Sequence, residues 1–188
     1  MAKASEVKTG NMLRFNGELV VVTEYVHRTP GNLRAFYQAK MRNVRTGKIA
    51  EYRFRPDEEV EIARVETKNY QYLYDDGDSF VIMDNDSFEQ IPVPKALFGD
   101  AAQFLAEGMQ VTVAFDENEE PVSAEAPSHV ELEVTYTEPA VKGDTSSGAM
   151  KYATLETGKE IKVPLFINQG DKVRVDTRTG EYSERAKD

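Results

Sequence analysis

Apolar and polar residues alternate along most of this chain with a period of two, in short runs broken by Gly, Pro, Asn and Asp. That pattern predicts half-buried β-strands joined by tight turns. A short segment, 4–9, leads into a strand at Met12–Phe15. Asn16-Gly17 is a strong two-residue hairpin signal, because both central positions of such a turn take positive φ. The next strand, 18–27, is answered by 35–44, which places Phe36, Gln38, Lys40 and Arg42 on one face and Ala35, Tyr37, Ala39 and Met41 on the other. Strands at Ile49–Phe54 and 60–65 complete a set that suggests a small barrel of the SH3 type.

The rhythm then repeats twice. Strands are expected at 65–74, 80–84 and 88–93, with Asp75-Asp76-Gly77-Asp78 as a hairpin turn. An amphipathic helix is expected over 94–107, with Leu97, Ala101, Phe104 and Leu105 on one face and Gly108 as its C-cap. Strands at 109–115 and 122–126 follow across an acidic turn. Strands, one short helix, then strands is the layout of an OB-type barrel. Past Pro127, further strands at 130–137, 151–156, Glu160–Pro164, Lys172–Asp176 and 182–185 fit a second barrel of that class. The expected domains are 1–64, 65–127 and 128–188, each small enough to lean on its neighbours for stability.

One stretch stands out within the first unit, Arg28-Thr29-Pro30-Gly31-Asn32-Leu33-Arg34. It lies between two long strands, so it reads as the exposed tip of a two-stranded arm with arginines at both shoulders. Proline is expected at the first central turn position and Gly31 at the second, where φ is positive. On spacing alone an ordinary hairpin loop explains it. The arm also carries His27, Lys40, Arg42 and Arg45, interleaved with Tyr25, Phe36 and Tyr37, groups that can grip phosphate and stack on bases. A solvated strand face over an aromatic core explains the same residues.

Composition narrows the chemistry. The 188-residue chain has no cysteine and two histidines, His27 and His129. That leaves no thiolate ligand or Cys nucleophile and makes a His-rich metal centre or a Ser-His-Asp pair hard to assemble. No apolar run approaches membrane-spanning length, so a cytoplasmic protein is expected. The net charge of −10 is uneven: 12 basic and 8 acidic residues over 1–64 (+4), 2 and 14 over 65–127 (−12), 9 and 11 over 128–188 (−2). The first third can meet phosphates, and the middle third is repelled by them. Asp75-Asp76-Gly77-Asp78 and Asp84-Asn85-Asp86 lack calcium-loop spacing and read as acidic turns. Gly143-Asp144-Thr145-Ser146-Ser147-Gly148 lacks the spacing of a Walker loop; it reads either as a long hairpin turn or, nearly as well, as a backbone-rich loop that presents amides and hydroxyls to a phosphate or base. No pair of carboxylates stands out for acid–base work.

The most specific runs lie in the last third. Tyr136-Thr137-Glu138-Pro139 leading to Gly143-Asp144-Thr145, Lys151-x-Ala153-x-x-Glu156-x-Gly158 with Val163-Pro164-x-Phe166-Ile167-x-x-Gly170, and Asp176-Thr177-Arg178-Thr179-Gly180-Glu181-Tyr182 with Arg185 together resemble the bacterial elongation factor P family, related to the hypusine-bearing factor of eukaryotes and archaea. In the first third, Pro30-Gly31 and Ala35-Phe36 match the family's arm. The resemblance spans essentially the whole chain. It implies an all-β fold, a KOW/SH3-like barrel and two OB-folds in an extended L shape.

It also implies binding to both ribosomal subunits between the P and E sites, where the factor stimulates peptide-bond formation and relieves stalling at consecutive prolines. Arm residues Pro30, Gly31, Asn32, Leu33 and Arg34 would reach the acceptor end of P-site peptidyl-tRNA. Gly143, Asp144 and Thr145 would lie near the E-site codon, and Tyr182 and Arg185 near tRNA. No cofactor and no metal are implied, and the expected form is a monomer. Many family members carry a modified Lys or Arg at the tip. Here the position is Asn32, so no modification is expected, and Arg34 is the nearest cation. The peptidyl-transfer centre is RNA, so such a factor works by positioning and is not itself an enzyme. Two rivals remain at this point. An OB-fold RNA chaperone requires a basic groove, and a carboxylate hydrolase requires a carboxylate pair.

Overall fold

The structure is a computed structural model that describes residues 1–140 and 148–187. Sixteen strands account for most of it. The first sheet is built from β1 (Ala2–Lys3), β2 (Met12–Phe15), β3 (Glu18–Arg28), β4 (Phe36–Asn43), β5 (Ile49–Phe54) and β6 (Glu59–Ile62), in the spatial order β1-β6-β2-β3-β4-β5. Asn16 and Gly17 join β2 to β3 with φ of 51° and 79°, the left-handed pair that a two-residue hairpin requires. The inward residues Leu13, Val20, Val22, Ala39, Met41 and Phe54 form one core with Ala4 and Val7.

The second sheet contains β7 (Glu66–Asp75), β8 (Ser79–Asp84), β9 (Gln90–Pro94), β10 (Gln110–Phe115) and β11 (Pro121–Glu125), ordered β11-β10-β7-β8-β9. The third contains β12 (His129–Thr137), β13 (Met150–Leu155), β14 (Glu160–Pro164), β15 (Lys172–Asp176) and β16 (Glu181–Arg185), ordered β14-β13-β12-β15-β16. Alternation is cleanest on β12, where Val130, Leu132 and Val134 are buried and Glu131 and Glu133 exposed. The fold is all-β. By contacts the chain divides into two compact units, Met1–Lys68 with Val113–Ser123, and Asn69–Thr112 with Ala124–Asp188.

The expected helix over 94–107 does not form as such. Lys95–Phe104 is a 3-10 segment broken at Gly99, whose φ of 58° and ψ of −141° are not helical. Gly99 gives the chain a conformation closed to other residues, and that kink overrides the apolar periodicity. Phe98 and Phe104 are therefore the buried pair, while Leu97 and Ala101 are only partly covered. Gly108 is a turn residue, not a cap, and its N–H donates to the Tyr72 carbonyl at 2.9 Å. Phe104 enters the third core beside Val130, Leu132, Ile161 and Val175.

The acidic clusters serve as turns. Asp75 Oδ1 accepts from the Gly77 N–H at 2.9 Å, and Asp84 Oδ1 from the N–H groups of Asp86 and Ser87 at 2.8 and 3.1 Å. No helix among the described residues is long and apolar enough to cross a membrane.

Candidate nucleic-acid interface

The arm consists of β3 and β4, paired out to Arg28 opposite Phe36. A register shift between Val22 and Glu24 marks a bulge, which increases twist and bends the hairpin. The inward face carries an aromatic ladder. His27 stacks on Tyr37 at 4.6 Å between ring centroids, and Tyr37 stacks on Tyr25 at 5.1 Å and 8°. The Tyr25 hydroxyl donates to the Ala4 carbonyl at 2.7 Å. Burial, then the neighbouring Tyr37 and Glu58, push the Tyr25 phenol up to about 12, so it stays a donor. The ladder stiffens the arm along its inner side.

The outward face carries the cations, and the structure sorts them. Lys40 is held by Glu24 at 3.4 Å and Glu51 at 3.9 Å, and Arg45 by Glu18 at 3.6 Å. These neutralised groups sit toward the root. Among the described residues, Arg28, Arg34 and Arg42 have no carboxylate within ion-pair distance. One cation escaped the sequence reading. Arg53, opposite Gln38 on β5, places its guanidinium 4.9 Å from the centroid of Phe36. Outward alternation on β5 was the signal that could have found it, since Glu51 and Arg53 share the face of Lys40 and Phe36.

At the tip the turn is shifted by one residue from the expectation. The Leu33 N–H donates to the Pro30 carbonyl at 3.2 Å, so Pro30 opens the turn and Gly31 and Asn32 are its central pair. Neither has positive φ. With Pro30 in first place, no left-handed residue is needed, and Gly31 is there by freedom, not by requirement. Pro30 is half-buried; Gly31, Asn32, Leu33 and Arg34 are exposed, Leu33 by 76%.

The other candidates lie on or beside the third sheet. Tyr182 on β16 packs against the third core, and burial, then Glu184, raises its phenol. Arg185 is exposed, but its guanidinium is tied to Asp171 at 3.2 Å. A phosphate reaching Arg185 has to compete with that carboxylate. Gly143, Asp144 and Thr145 lie outside the described residues.

Comparison with known proteins decides the family. Residues 3–60 match the elongation factor P KOW-like domain, 65–124 its OB domain, and 130–185 its C-terminal domain. An elongation factor P of Chloroherpeton thalassium is 51% identical over 187 residues, covering 100% of both chains. The chain belongs to the elongation factor P family. A member from Kocuria rhizophila is 48% identical, with 97% of each chain covered. Elongation factor P proteins are translation factors, not classical enzymes, and this chain is a translation elongation factor. A solved structure, eukaryotic translation initiation factor 5A from Methanococcus jannaschii, superposes with a TM-score of 0.51 over 61% of this chain and 85% of that one. At 18% identity that likeness speaks for the shared fold of the elongation factor P barrels alone.

Proposed function

We propose that this factor binds the ribosome between the P and E sites, contacts both subunits, and stimulates peptide-bond formation on P-site peptidyl-tRNA that stalls at consecutive prolines. The observation that carries this reading is the distribution of charge on the arm. Its shaft cations Lys40 and Arg45 are neutralised, whereas Arg28 and Arg34 at the tip and Arg42 nearer the root are exposed and without a carboxylate partner among the described residues. Guanidinium groups in that state suit the phosphates of a tRNA acceptor end. The stiff aromatic ladder behind them holds the tip in place. Prolyl substrates react slowly because the ring restricts φ. A rigid wedge that removes unproductive orientations of the acceptor end raises the rate by positioning, with no acid or base from the protein.

Asn32 offers no amine or guanidinium to modify, so the factor works unmodified, with Arg34 as its nearest cation. Tyr182 and Arg185 approach tRNA, and Gly143, Asp144 and Thr145 the E-site codon. The acidic stretch 65–127 faces away from RNA. The factor acts in the cytoplasm as a monomer. The test is reconstituted translation of a message with a run of proline codons, using wild type, Asn32→Ala and Arg34→Ala. Wild type is expected to relieve the stall, Asn32→Ala to retain that activity, and Arg34→Ala to lose it about tenfold, the weight of one charge-assisted phosphate contact. A stall untouched by wild type overturns the function. Full rescue by Arg34→Ala overturns only the role of the cation.

A further inference from the structure

A cavity of about 280 Å3 opens at one end of the first barrel, away from the arm tip. Its floor is a cluster of three rings. Phe15 meets Tyr52 edge-on at 4.9 Å and Phe54 at 5.8 Å, and Tyr52 meets Phe54 at 4.5 Å. Phe54 is buried, but Tyr52 stays 37% exposed. Glu58, Glu59 and Glu61 line the same cavity. Glu58 is pre-oriented, because its Oε1 accepts from the Tyr52 hydroxyl at 2.9 Å and its Oε2 from the Arg55 N–H at 3.0 Å. Met1 also lines the cavity, as does Arg14, which is already committed at 2.8 Å to Glu117, 3.6 Å to Glu61 and 3.7 Å to Asp116.

We infer that this cavity is a binding site for a lysine or arginine side chain of a partner protein. Aromatic rings attract a cation through their quadrupole, and fixed carboxylates complete the recognition. Within a stretch of net charge +4, over 1–64, Glu58 and Glu59 add to the Glu61, Asp116 and Glu117 carboxylates that outnumber Arg14, which makes a negative spot that repels phosphate. The site is therefore matched to protein and not to RNA. The half-exposed Tyr52 holds the Glu58 carboxylate, through its hydroxyl, among the groups that line this cavity. The cavity has room for one long side chain and its water. The inference does not depend on the acceptor-end reading, since no tip residue takes part.

The test is amide NMR of the full chain titrated with Nα-acetyl-lysine methylamide, alongside the uncharged Nα-acetyl-norleucine methylamide and a short oligouridylate. The lysine probe is expected to give saturable shifts centred on Phe15, Tyr52 and Val60, and the other two probes none there. Tyr52→Phe keeps the ring but frees Glu58, and Tyr52→Leu removes the ring. Each is expected to weaken lysine binding about threefold to fivefold, as is Glu59→Gln. Equal shifts from norleucine, stronger shifts from the oligouridylate, or unchanged affinity in both Tyr52→Leu and Glu59→Gln overturns the assignment. So do shifts spread evenly over the acidic residues of 65–127.

Discussion

Phe104 to alanine is the substitution for which the structure gives the sharpest expectation. The ring comes from the kinked segment between β9 and β10 of the second sheet, yet it is 1% exposed within the core of the third. Truncating a buried Phe costs about 3–5 kcal/mol, through lost transfer free energy and the hole left behind. Collapse into that hole is limited. The Gly180 backbone already stands close, since a Cβ built there would lie 3.5 Å from the ring. The nearby bond from the Thr157 hydroxyl to the Gln103 carbonyl at 2.8 Å also pins the segment in place. A loss of about 3–4 kcal/mol is expected, which is roughly 150- to 1000-fold in an opening equilibrium. Because the chain divides into two compact units, a single melting temperature is a poor readout. Hydrogen exchange resolves them. Protection of β12, β13 and β15 amides should fall by that factor, while β3 and β4 amides keep theirs. A loss below about 1 kcal/mol, or an equal loss in β3 and β4, would refute the view that this ring is an integral part of the third core.

Two further expectations concern backbone and charge. Gly31→Ala should be neutral to slightly stabilising, within about 0.5 kcal/mol, because φ is not positive and a Cβ meets nothing within 4 Å; Gly17→Ala, at φ 79°, should cost about 1–2 kcal/mol in chemical denaturation. Equal costs at the two sites would contradict the turn geometry. The Asp176 carboxyl is held at about 2, first by the hydrogen bond from the Arg178 side chain. Its folded value lies below the unfolded value of about 3.9, so its stabilisation is present above pH ~4 and is lost as pH falls through about 2. Arg178→Ala should move that titration, followed by carbon-13 NMR of the carboxyl, up toward the ordinary range, and an unmoved curve would remove Arg178 as the cause.

Period-two alternation was enough to read the fold, because a residue on β12 or β4 has only two faces to choose between. Turns with an obligatory backbone signature were equally legible, as at Asn16-Gly17. The difficulties arose where two local signals competed. In 94–107 the apolar spacing spoke for a helix, and a single glycine at position 99 undid it. At the arm tip, Pro30-Gly31 permits two turn frames, and only the hydrogen bond from Leu33 to Pro30 distinguishes them. The arm's cations were visible as residues, but not their state. Whether Lys40 is free depends on Glu24 and Glu51, which reach it only through strand register. Likewise nothing in the sequence places Asp171 against Arg185.

The pairing of Lys40 and Arg45 near the root bears on how this factor meets its target. Glu24 lies four residues from Arg28 on the same strand, about 13 Å when extended. That exceeds the screening distance of ~8 Å at physiological salt, so the carboxylates at the root do not cancel the field at the tip. The positive charge of Arg28 and Arg34 at the far end of the arm is therefore uncancelled, and Arg42 and Arg53 extend it along the shaft. On the proposed function, this positive arm is drawn toward RNA phosphate before any contact forms. Added salt should slow this guided arrival while leaving the lifetime of the bound complex largely as it was.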